Sequence, residues 1–189
     1  MSAWSDGPTR KINIVQGEQH VDNDPNVVLT TILGSCVAAC MWDAVAGYGG
    51  MNHFLLPGER SSDARAPNSD RSVRYGVHAM ELLVNGLLDK GAQRRRLQAK
   101  LFGGARMVEG LTDVGEMNAA FAEQFLAAEK IALVSSSLRG QHGRRIQFWP
   151  VSGRARQVFI GQDQTGVIAA EDRMRARVPV QAGGDVELF

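Results

Sequence analysis

Short apolar runs, one of them alternating with polar residues at a period of two, fill the first third of the chain. Lys11-Ile12-Asn13-Ile14-Val15 alternates as a short strand does, and Val27-Val28-Leu29-Thr30 is rich in β-branched residues. Val37-Ala38-Ala39-Cys40-Met41-Trp42 and Met51 to Leu56 are two further apolar runs, divided by a glycine-containing loop and closed by Pro57. These segments predict sheet. Residues 58–71, with Gly58, Ser61, Ser62, Pro67 and Asn68 among charges, read as a long exposed loop.

The period then changes. Val77, Met80, Val84, Leu87 and Leu88 recur at helical spacing, and Lys90-Gly91 supplies a helix end. Leu97, Ala99 and Leu101 alternate with polar residues before Phe102-Gly103-Gly104-Ala105, a strand running into a glycine turn. Asp113 with Glu116 three residues on opens a second helix, whose apolar stripe reads as Met117, Phe121, Phe125 and Ala128. Ile131 to Val134 reads as a buried strand, and Ile146 to Trp149 with Arg156 to Ile160 as a hairpin around Ser152-Gly153. A last helix is expected over Ile168 to Arg177, with Glu171 set to pair with Arg175, before a loose Gly183-Gly184 tail. The pattern predicts a mixed α/β (α+β) domain over 11–165, with a flexible tail at 1–10 and an appended helix and tail at 166–189.

Composition narrows the function classes. A chain of 189 residues, 44% hydrophobic and 22% charged, fits one globular core. A net charge of +1 gives no footprint for nucleic acid. No segment approaches the ~18 apolar residues of a membrane span, and residues 1–10 lack a signal-peptide core, so a cytoplasmic protein without membrane insertion is expected. Two cysteines, Cys36 and Cys40, make no disulfide framework. On one strand they would lie ~13 Å apart, too far for a bridge, and so stay free thiols.

Chemistry is concentrated in Thr30-Thr31-Ile32-Leu33-Gly34-Ser35-Cys36 and in Gly49-Gly50-Met51-Asn52-His53-Phe54-Leu55-Leu56-Pro57. A thiol after a Gly-Ser turn, with an imidazole on the next element, supplies the nucleophile and base of covalent acyl transfer. Taken singly, Cys36 and His53 read more readily as buried core residues than as catalysts. The spacing Cys36-x3-Cys40-x12-His53 also copies three ligands of a zinc site, but His78 is too distant in sequence to be the fourth. Gly103-Gly104 is too short for a phosphate-binding fingerprint, and Arg94-Arg95-Arg96 reads as a solvated face.

Together, Thr30-x-x-Leu33-Gly34-Ser35-Cys36-Val37-Ala38-x-Cys40, Gly49-Gly50-Met51-Asn52-His53-Phe54-x-Leu56-Pro57, Arg74-Tyr75-Gly76-x-x-Ala79-Met80 and Ala99-Lys100-x-Phe102-Gly103-Gly104-Ala105-x-Met107 resemble the CheD family of chemoreceptor glutamine deamidases. The resemblance runs from about Val27 to Ile160. It implies a layered fold of mixed sheets and flanking helices, like the catalytic domain of cytotoxic necrotizing factor toxins. It implies Cys36 as nucleophile, His53 as its partner and Thr30 as the third member, with Thr31 next door as the rival, and Gly34 and Ser35 supporting the oxyanion turn. No cofactor and no metal are implied. The implied reaction is hydrolysis of glutamine side-chain amides on the cytoplasmic part of chemoreceptors, through a Cys thioester, with methylesterase activity also attributed to the family.

Two features bear on that reading. A hairpin pairing Asp43 with Gly50 would set His53 opposite Cys40, so the resemblance requires these strands to pair in some other register. Where the family pattern runs Asp-x-Gly-Gly-x-x-Gly-Arg, this chain has Ser137-Leu138-Arg139-Gly140-Gln141-His142-Gly143-Arg144, losing an acid and a glycine. The alternative function is a non-catalytic adaptor docking on chemoreceptors or on a CheC-type phosphatase, with Phe102, Gly103 and Gly104 as the docking segment.

Overall fold

The computed structural model describes residues 9–57, 68–107 and 113–160. The expected C-terminal helix at 168–177, the tail beyond it, residues 1–8 of the N-terminal tail and most of the segment read as a loop at 58–71 lie outside the described residues, while Arg10, assigned to that tail, opens a strand.

Among the described residues, nine strands form two sheets. The first holds β1 (Arg10–Asn13), β3 (Val27–Leu33), β8 (Arg144–Trp149) and β9 (Arg154–Phe159), in the order β1-β3-β8-β9. The second holds β2 (Gln19–Asp22), β4 (Val37–Asp43), β5 (Tyr48–Asn52), β6 (Gln98–Gly103) and β7 (Ala132–Leu138), in the order β2-β5-β4-β6-β7. Both sheets are mixed: β1 runs parallel to β3 and β6 parallel to β7, and the other pairs are antiparallel. Helices α1 (Asn68–Leu88) and α2 (Val114–Ala128) pack on the second sheet. Mixed sheets with flanking helices are the expected α+β class.

The layers follow from side-chain alternation. Cys40 and Trp42 of β4 face Leu29, Leu33, Ile146 and Phe148 of the first sheet, with Cys36 and Ala38 on the same side. Val37, Ala39 and Met41 face Met80, Leu83, Leu87 and Leu126 of the helices. All seven residues of β4 are therefore buried, which is why its sequence shows no polar alternation.

Several expectations shift. Helix α1 begins at Asn68, so residues 68–71 are helix rather than loop. Asp113 caps α2 as expected, accepting from Glu116 N–H at 3.0 Å. The buried stripe of α2, however, is Gly115, Asn118, Ala119, Ala122, Phe125 and Leu126. Phe121 is only half-buried and Ala128 is exposed, because the stripe is rotated to put small residues against the second sheet. Strand β7, read as buried, is an edge strand exposed along most of its length. Arg96, from the basic run, pairs with the fully buried Asp43 at 2.8 Å and so has a structural role.

The register of β4 and β5 decides what faces His53. Asp43 pairs with Tyr48 rather than Gly50, and Val37 pairs with Phe54 beyond the end of β5. His53 therefore stands opposite Ala38, with Cys36 and Cys40 two residues away on either side and on the same face.

Candidate active site

The chain crosses from one sheet to the other between Leu33 and Val37, and Cys36 sits on that crossing. Three successive carbonyls of the turn are held from one side. Gly34 C=O accepts from Ala105 N–H at 2.9 Å, Cys36 C=O from Gly104 N–H at 2.8 Å, and Ser35 C=O from the Asn118 side chain at 2.9 Å. Gly103 has a φ of +111°, and a Cβ there would lie 2.1 Å from Cys36 C=O, so only glycine fits this close crossing. The Gly-Ser-Cys turn and the Phe-Gly-Gly-Ala segment are thus two halves of one structure.

His53 follows β5 on the inner face. Its backbone is fixed by the segment joining β1 to β2: His53 N–H donates to Glu18 C=O at 3.0 Å, and His53 C=O accepts from Gly17 N–H at 2.8 Å. The same segment reaches the other site residues. Ile14 C=O accepts from Thr31 Oγ1 at 2.6 Å, and the Cys36 thiol donates to Gln16 Oε1 at 3.7 Å.

Thr31, 1% exposed, lies 2.9 Å from His53 Nδ1. A threonine hydroxyl has one proton, and here it is committed to Ile14 C=O. The contact with the ring therefore has Nδ1–H donating to Oγ1, and Ile14 C=O at 3.4 Å is a second acceptor on the same side. Neutral His53 is consequently the Nδ1–H tautomer, with the lone pair on Nε2, the atom a general base uses. Thr30 does not reach the site. It points to the other face of β3 and donates to Ile146 C=O at 2.9 Å, so of the two threonines it is Thr31 that hydrogen-bonds the imidazole. Strand alternation is the reason: adjacent residues cannot both face the second sheet.

The two thiols differ in surroundings. Cys40 is wholly buried opposite Met51, and burial drives its thiol far above the ordinary range, against a smaller opposing effect of Lys100. It is a core residue. Cys36 is 3% exposed at the mouth of the strand, touching Gln16 of an exposed segment.

Phe102, at 7% exposure, and both following glycines are buried. This segment, expected to serve docking, lies beneath the Gly34–Cys36 turn, where Gly104 N–H and the following Ala105 N–H hold the Cys36 and Gly34 carbonyls. Two further residues escaped the sequence reading. Gln16 carried no motif. Asn118 was legible only as a polar position within the buried stripe of α2.

The departure at 137–144 also has a structural account. Arg144 is 1% exposed and its guanidinium is held by Ser137 C=O and Oγ, Arg139 C=O and, more distantly, His142 C=O. Arg139 occupies a left-handed conformation, φ +71°, where the family pattern has glycine. Its guanidinium pairs with Glu116 at 2.6 Å and Glu123 at 3.0 Å, tying this loop to α2.

A buried Cys at a held turn and an imidazole hydrogen-bonded to a hydroxyl are the residue types that a cysteine hydrolase uses. The family model described as CheD chemotactic sensory transduction matches residues 55–158. Over the whole 189 residues, the chain is 58% identical to the "Probable chemoreceptor glutamine deamidase CheD" of Acidiphilium cryptum (strain JF-5), covering 98% of that protein. Proteins of the same description from Rhizobium johnstonii and Caulobacter sp. (strain K31) are 54% and 53% identical, over 98% and 99% of this chain and 99% and 97% of their own. The chain belongs to the CheD family. Among solved structures, the hypothetical protein YfiH of Bacillus licheniformis overlaps 64% of this chain and 50% of its own, at a TM-score of 0.41 and 11% identity.

Proposed function

We propose that this protein deamidates glutamine side chains on the cytoplasmic regions of chemoreceptors, with Cys36 as nucleophile, His53 as acid and base, and Thr31 as the group that orients His53. The observation that carries the reading is the Thr31–His53 hydrogen bond, which leaves Nε2 as the basic nitrogen beside the strand that presents Cys36. Membership of a family whose relatives are described as glutamine deamidases supplies the substrate class.

In this reading His53 Nε2 takes the Cys36 proton and the thiolate attacks the glutamine Cδ. The oxyanion of the tetrahedral intermediate is held by backbone N–H groups of Ser35 and Cys36. Collapse breaks the C–N bond, His53 returns the proton to the departing ammonia, and a thioester remains. Water, deprotonated by His53, hydrolyses it to glutamate and the free thiol. A glutamyl methyl ester would follow the same route with methanol leaving, which is the methylesterase part of the proposal. A CheC-type phosphatase partner rests on the family resemblance alone. Within the described residues no helix is long and apolar enough to cross a membrane, and the cytoplasmic location belongs to this same reading.

The test is mass spectrometry of a co-expressed chemoreceptor cytoplasmic fragment, with the wild type, Cys36→Ala and His53→Ala. Site-specific conversion of glutamine to glutamate that both substitutions abolish is the expected result. Binding without conversion by the wild type would establish the adaptor instead.

A further inference from the structure

Asn118 is completely buried in the middle of α2, and it spans two strands of chain that the proposed chemistry needs held together. Its Nδ2 donates to Ser35 C=O at 2.9 Å, and its Oδ1 accepts from Leu56 N–H at 2.8 Å. The first contact lies one residue before Cys36. The second lies three residues after His53. The amide orientation is determined by chemistry, since a carbonyl only accepts and an N–H only donates.

A peptide unit is planar and trans, so its N–H points away from its C=O. Holding Ser35 C=O against α2 therefore aims the N–H of the same peptide, that of Cys36, away from the helix. The neighbouring carbonyls of Gly34 and Cys36 are held by backbone N–H groups of Ala105 and Gly104. Of the three clamps on this turn, the Ser35 clamp is the one supplied by a side chain. Its placement is reproducible because α2 is pressed onto the glycine turn: a Cβ at Gly115 would lie 2.5 Å from Ala105 C=O, and Asn118 is on the same face one turn later.

We infer that Asn118 is a positioning residue for the deamidation reaction, fixing the Ser35–Cys36 peptide so that the Cys36 N–H is preorganised as an oxyanion donor. The inference rests on the deamidase reading above and deepens it. Asn118 touches neither the substrate nor the sulfur. It acts on the two steps, attack of the thiolate on the amide and attack of water on the thioester, in which negative charge develops on the substrate oxygen and a donor costs no reorganisation only if it is already aimed.

The experiment compares wild type, Asn118→Asp and Asn118→Ala by steady-state deamidation of a purified receptor fragment, by the rate of Cys36 alkylation with iodoacetamide, and by thermal unfolding. Asn118→Asp keeps an acceptor for Leu56 N–H but turns an oxygen toward Ser35 C=O; Asn118→Ala removes both contacts without that repulsion. Alkylation is a direct displacement with no tetrahedral oxyanion, so it reports the thiol but not the donor. The expected result is a fall in kcat on the order of 100-fold with KM little changed and the alkylation rate within about 2-fold of wild type. A parallel loss of alkylation and deamidation, a loss confined to KM, or the absence of a cooperative thermal transition in both variants would assign Asn118 to folding alone and overturn the inference. Unchanged kcat would overturn it as well. An inactive wild type would instead remove the deamidase reading, and this inference with it.

Discussion

Thr31 Oγ1 and His53 Nδ1 meet at 2.9 Å across the gap between the two sheets, and the hydroxyl proton of Thr31 is already given to Ile14 C=O. The pair fixes both the tilt and the tautomer of the imidazole. Thr31→Val should therefore cost about 10- to 100-fold in kcat, ~1.4–2.7 kcal/mol of barrier, while Thr31→Ser retains most of the activity. Thr30→Val should lose only the bond to Ile146 C=O, about 1 kcal/mol of stability, and leave turnover near wild type. Deamidation kinetics of the three variants, with urea unfolding, check this.

The two cysteines should separate cleanly under thiol reagents. Iodoacetamide is expected to modify Cys36 and leave Cys40 unmodified in the native protein, because the Cys40 thiol is buried and held protonated. Cys40→Ala should keep deamidation, and peptide mapping after alkylation reads out the selectivity.

Gly103→Ala would set a Cβ against Cys36 C=O at 2.1 Å in a backbone region that only glycine enters freely. We expect a loss of more than about 2 kcal/mol in stability, measured by denaturant unfolding, together with loss of activity because the nucleophile turn must move.

Asp43 contributes to the acid limb of stability. Burial alone would raise its pKa, but the Arg96 guanidinium and the N–H groups of Gln93, Ala46 and Val45 overcome this and hold it well below the usual carboxylate range. The folded pKa is thus below the unfolded value of ~3.9, so the contribution is complete above that pH and is lost as pH falls below it. Asp43→Asn should cost about 2–4 kcal/mol at pH 7 and flatten the fall in unfolding midpoint as the pH drops below about 4.

Ser137→Asp restores the acid of the family pattern 3.0 Å from the Arg144 guanidinium, which is otherwise held by carbonyls and this hydroxyl. An ion pair in place of a guanidinium–hydroxyl bond is expected to stabilise the fold by about 1–2 kcal/mol at pH 7. The gain should vanish when the new carboxylate is protonated, which melting curves at pH 7 and 3 would register.

The local physics was legible along the chain. Period-two alternation located β1 and β6, a β-rich run located β3, the Ser152-Gly153 turn located the β8–β9 hairpin, and the Asp113–Glu116 spacing located the start of α2. The motifs around Cys36 and His53 led to the family that the relatives bear out. What the sequence could not rank was set by long-range pairing. Whether Thr30 or Thr31 meets His53 depends on which face of β3 turns inward, and both are threonine. Whether His53 stands opposite Ala38 or Cys40 depends on a two-residue choice of register that preserves every inward and outward side chain and so leaves no mark in the hydrophobic pattern. The exposure of β7 depends on its being last in its sheet. The burial of Phe102, and the part Asn118 takes at the turn, arise only when α2 and the glycine segment close on Ser35 and Cys36. Composition and periodicity determined the elements and their chemistry; packing between distant segments decided which side chains meet, because hydrogen bonds there depend on distances that no local pattern encodes.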